Sequence, residues 1–69
     1  MHLTLETGQE ADGRWIAEVP EIAGAMAYGA TRGDAMAKAE AVALRALAER
    51  LHHGETQSMP IHFSIRPDA

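Results

Sequence analysis

Sixty-nine residues with no cysteine, 46% hydrophobic and carrying a net charge of −4, describe one small domain that has a core but no disulfide to hold it. The acidic balance excludes an ordinary nucleic-acid surface, since phosphate recognition needs clustered basic residues; Lys38 is the only lysine, and the arginines are scattered from Arg14 to Arg66. No basic leader opens the chain and no run approaches the roughly 20 apolar residues that span a bilayer, so a soluble protein of the reducing cytoplasm is expected, with no membrane partner.

The first thirty residues read as strands. Residues 2–7 alternate polar and apolar, the period of a strand with one buried face. Asp12-Gly13 supplies a residue that tolerates positive φ and then one that prefers it, which marks a hairpin turn. Residues 14–19 follow as a second strand, with either Trp15, Ala17 and Val19 or Ile16 and its neighbours inward. Pro20 closes that strand because it donates no ladder hydrogen bond. Residues 25–29 form a short third strand, and the short connections predict an antiparallel meander.

The helix is predicted over residues 34–53. Thr31 is its N-cap, and Asp34 resembles the acid of a capping box. Gly54 stops it, with Arg50, His52 and His53 in the last turn, where cations suit the dipole. At about 100° per residue, Asp34, Lys38, Arg45, Glu49 and His52 share one stripe, and its i,i+4 opposite charges mark the water-facing side. Ala35, Ala39, Val42, Ala43 and Ala46 form a sector of small side chains suited to close approach to a sheet. Leu44, Leu47 and Leu51 form a second apolar sector with Glu40 at its leading edge. One helix on a small sheet cannot cover both sectors, so the leucines await either the chain end or another subunit.

Residues 60–65 alternate again as a final strand. A helix between strands 3 and 4 is a crossover, so strand 4 is predicted to run parallel to strand 1 at the sheet edge. The fold class is therefore α+β, with element order β-β-β-α-β in a single domain over residues 1–69. A core of this size supplies about 3–5 kcal/mol, and with no disulfide available the remaining staple is self-association. A homo-oligomer with Leu44, Leu47 and Leu51 at its interface is expected.

Chemistry is hard to assemble from these residues. His52 and His53 diverge on the helix, and His2 with His62 is a poor zinc set without further ligands. Ser58 and Ser64 sit in or beside the terminal strand without a glycine elbow. Gly29, Gly33 and the helix start lack the spacing of a phosphate loop. No catalytic residue, cofactor or metal site is expected. Trp15 and Tyr28 fall on neighbouring strands and suit core packing or a protein interface better than base stacking.

Gly13, Trp15, Ala17, Pro20 and Gly24, followed by Gly29, Thr31, Asp34, Ala35 and Ala39 and by an exit through Gly54 into Pro60, Ile61 and Phe63, are ordered as in the HicB-like antitoxin family, which nearly the whole chain resembles. The resemblance implies a trimmed ribonuclease-H-like fold that self-associates. It implies as partner a small basic toxin of HicA type that degrades messenger RNA and whose active surface the antitoxin masks. An acidic domain suits that task, because complementary charge speeds encounter and sets register. Glu18 and Glu21 beside Pro20, with Trp15 and Tyr28, are then the expected partner contacts. The DNA-binding segment that many members carry after the last strand has no counterpart before Ala69, so no direct DNA binding is expected. The alternatives are a solitary structural or accessory oligomer and, less in keeping with the charge, an RNA-binding domain.

Overall fold

A computed structural model of the chain describes residues 1–66. Its elements are β1 (His2–Gln9), β2 (Trp15–Glu18), β3 (Met26–Gly29), α1 (Arg32–His52) and β4 (His62–Ile65). The four strands form one mixed sheet in the order β3-β2-β1-β4. The β1–β2 and β2–β3 pairs are antiparallel and β4 runs parallel to β1, with Leu3 opposite Phe63. This is the α+β crossover arrangement expected from the order of elements.

Local chemistry accounts for the turns. Gly13 takes φ 93° at the end of the β1–β2 loop, and its N–H donates to the Glu10 carbonyl at 2.9 Å. The β2–β3 loop is knotted by three backbone bonds, Val19 to Ala25, Ile22 to Val19 and Ala25 to Ile22, which tuck Ile22 into the core. The Thr31 hydroxyl accepts the Asp34 N–H at 3.0 Å, so the N-cap stands where expected, while the Asp34 carboxylate pairs with Lys38 at 3.2 Å. At the other end Gly54 and Glu55 donate to the carbonyls of Leu51 and Arg50, closing the last turn in the glycine-stopped form. The expected stripe of Asp34, Lys38, Arg45, Glu49 and His52 is exposed, although Glu49 pairs with His53 at 3.2 Å rather than with Arg45.

The core is a single layer between sheet and helix. Leu3 and Leu5 from β1, Ala17 and Val19 from the second strand and its end, and Ile22 and Ala25 from the loop meet Ala35, Ala39, Ala43 and Leu47. Buried Ala17 and Val19 make Trp15, Ala17 and Val19 the inward set; Ile16 faces the other side. The helix residues form one i,i+4 row, which winds obliquely around the helix and so carries the buried line from the alanine sector into the leucine sector. Leu47 is therefore a core residue, 3% exposed, and the expectation that it lies at a subunit interface is corrected. Leu44 and Leu51 remain at the surface, each 41% exposed. Among the described residues the α1 backbone lies close to β3, β2 and β1 but not to β4, while Ile61 and Phe63 pack against the edge of the core.

Gly29 is what lets α1 sit so low. A Cβ placed there would lie 2.5 Å from the Ala35 nitrogen and 3.0 Å from the Ala35 Cα. The strand end and the first helical turn touch through backbone alone.

Candidate interaction face

The helix covers only one side of the sheet. On the other side, alternation along the strands presents His2, Thr4, Glu6 and Gly8 from β1, Ile16 and Glu18 from β2, Met26 and Tyr28 from β3, and His62 and Ser64 from β4. Met26 and Tyr28 are 46% and 44% exposed, unusual for large apolar side chains on neighbouring positions of one face. Gly8, lacking a side chain, leaves a shallow hollow between β1 and β2 that is bounded by Glu6, Ile16 and Glu18.

Charge on this face is unevenly compensated. Glu6 stands directly across from Glu18, an arrangement in which like charges repel. Arg66 relieves Glu6 through an ion pair at 2.7 Å. Among the described residues the Glu18 carboxylate has no hydrogen-bond or ion-pair partner, although its backbone is in the ladder. Nearby, Arg14 lies over the Tyr28 ring at 4.7 Å from its centre and pairs with Asp12 at 2.9 Å. The Arg14 backbone N–H, and then its guanidinium, hold the Asp12 carboxyl below its usual range. The Tyr28 hydroxyl donates to Glu10 at 3.4 Å. Tyr28 is thus an exposed aromatic held in place by polar neighbours.

Glu21 has a different job. Extending the β1–β2 register by two residues sets Pro20 opposite Thr4, where the chain has already turned away from the sheet. The Thr4 N–H would lack a strand partner there. Glu21 supplies one: its carboxylate accepts the Thr4 N–H at 3.0 Å and the Thr4 hydroxyl at 2.8 Å. Those two bonds, the backbone one foremost, hold the Glu21 carboxyl below its ordinary value, with a smaller contribution from His2.

The four expected partner contacts therefore separate. Glu18 and Tyr28 share the open sheet face; Trp15 lies on the helix side, half-buried against the core; Glu21 is a tether between loop and strand. Trp15 and Tyr28 do sit on adjacent strands but on opposite faces, because Trp15 pairs with Gly29 and Tyr28 with Ile16. Met26 and Ile16 belong to the face and were not anticipated. A strand sequence of four residues in which both sides are partly apolar gives no periodic signal to separate them.

The histidines and serines fall as the topology dictates. His2 and His62 are direct partners, and the His2 Nε2 lies 2.7 Å from the Ser64 hydroxyl, a link that ties β4 to β1 on the open face. No described residue orients the other ring nitrogen of His2. Among the described residues no group of three or more His, Asp or Glu side chains is placed to hold a metal ion. No helix among them is long and apolar enough to cross a membrane.

Compared with known proteins, the chain matches no family model, no curated protein and no solved structure.

Proposed function

We propose that this domain works by binding another protein across the open face of its sheet, and that the partner is basic. The observation that carries this reading is Glu18: an uncompensated carboxylate, set opposite Glu6 on a rigid sheet and flanked by exposed Met26 and Tyr28 and by the Gly8 hollow. Natural sheets avoid like charges at directly opposed positions. A cation brought by a partner would relieve the pair, and the apolar neighbours would supply the desolvated centre that makes such a contact tight. The arrangement needs no catalytic group, metal or cofactor.

Within that class, the resemblance to HicB-like antitoxins favours a small basic toxin of HicA type, with the acidic face covering the surface that cleaves RNA. The test is binding of the wild-type domain and a Glu18→Lys variant to such a protein, measured together with inhibition of its RNA cleavage. Wild type binds and inhibits, and the variant loses both. Equal binding by the two would reject the face as the contact. A second reading, a solitary oligomeric module in the cytoplasm, is favoured by the apolar surface left on Leu44, Leu51 and Ile65.

A further inference from the structure

We propose that β4 pairs antiparallel with β4 of a second copy of this chain, joining two four-stranded sheets into one. The surface is distinct from the Glu18 face, and the inference does not rest on the nature of any toxin.

The direction of the backbone groups comes from the β1–β4 ladder. The N–H of His62 donates to the Met1 carbonyl and that of Arg66 to the Leu5 carbonyl, each at 2.9 Å. Even-numbered residues of β4 therefore face β1, and the N–H and C=O of Phe63 and Ile65 face the free edge. Among the described residues these four groups have no partner. Soluble proteins blunt such an edge by keeping it short or with a lysine, a proline, a bulge, an inward charge or a covering helix. The strand His62–Ile65 is short, at four residues, but has none of the other devices. The opposite edge strand, β3, ends at Gly29 directly against the first turn of α1.

The side chains then select the occupant. Only odd-numbered residues present backbone groups to the edge, so an antiparallel two-fold pairing sets odd positions opposite odd positions. Phe63 and Ile65, on the helix side, meet apolar residues of the copy. His62 and Ser64, on the open side, meet their like. Ile65, at 55% the most exposed large apolar side chain among the described residues, becomes covered. No like charges are forced together: Arg66 is paired with Glu6, and the strand itself contains no Asp, Glu, Lys or Arg. The strand is thus complementary to itself, as a two-fold interface requires. A domain this small, without a disulfide, also gains the staple it lacks.

Sedimentation equilibrium of the whole chain, with amide hydrogen exchange followed by NMR, tests this. The expected mass is twice the 7.4 kDa of the chain, with the Phe63 and Ile65 amides slow to exchange. Ile65→Lys, at an exposed site, is expected to halve the mass with the far-UV circular dichroism unchanged, while Leu51→Lys leaves the dimer intact. A single-chain mass at every concentration overturns the proposal, as does a dimer that survives Ile65→Lys. Should that variant fail to fold, the wild-type exchange decides: fast exchange at both amides overturns the pairing. Protection that appears only on adding a basic protein partner would assign the edge to that partner instead.

Discussion

Two glycines at the β3–α1 junction, Gly29 and Gly33, should respond in opposite directions to the same substitution. Gly29 ends β3 with its Cα against the first turn of α1, and a methyl group there would sit 2.5 Å from the Ala35 nitrogen, 2.7 Å from an Asp34 carboxylate oxygen and 3.0 Å from the Ala35 Cα. The carboxylate can swing aside, but the two backbone atoms cannot move without lifting the helix from the sheet. Overpacking of this kind costs about 1–3 kcal/mol, and a backbone obstacle belongs at the upper end. Gly29 has no positive φ, so alanine gains about 0.4–1 kcal/mol by restricting the unfolded chain. The clash wins, leaving Gly29→Ala destabilised by about 2 kcal/mol, a large share of the roughly 3–5 kcal/mol available to a core of this size. Gly33 lies exposed in the first helical turn with nothing within 4 Å of an added Cβ. Gly33→Ala should therefore stabilise by about 0.5–1 kcal/mol through helix propensity. Urea titrations followed by far-UV circular dichroism give both values. A Gly29→Ala variant as stable as wild type would refute the close approach of strand and helix, as would a Gly33→Ala variant that is the less stable of the two.

Other expectations are shorter to state. Leu47→Ala should cost about 2–5 kcal/mol as a core truncation, whereas Leu44→Ala should stay within about 0.5 kcal/mol of wild type in the same titrations. Glu18→Gln should stabilise the isolated domain by about 0.2–1 kcal/mol, because it removes the repulsion from Glu6, while weakening partner binding measured by calorimetry. The Glu21 carboxyl is held below its ordinary value of 4.5 in the folded state, so its contribution to stability is full above that value and is lost as pH falls through the lower, folded value. Glu21→Gln should lower the melting temperature at neutral pH and flatten its acid decline. Parallel acid declines in the two proteins would show that the Thr4 tether does not couple to folding.

Much of this architecture was legible in the chain. Thr31 and Gly54 bound the helix because a hydroxyl cap and a left-handed stop leave local signatures, and the parallel placement of β4 followed from the handed crossover alone. The faces were harder. Leu47 reads with Leu44 and Leu51 on a helical wheel, yet the oblique i,i+4 row takes it into the core and leaves the others outside. Trp15 and Tyr28 differ by one step of strand pairing, enough to send them to opposite sides of the sheet. Glu21 looked like a free acid beside a proline; its task appears only once the register leaves Thr4 without a strand partner. The opposition of Glu6 and Glu18, on which the proposed contact rests, likewise exists only in the register.

The most direct test of protein binding through that face is competitive capture on immobilised wild-type domain and on the Glu18→Lys variant, with the retained proteins identified by mass and isoelectric point and re-bound in purified form. A small basic protein held by wild type, released by salt and lost from the variant is the predicted result. Equal retention on both surfaces, or a retained protein that is acidic, would contradict it.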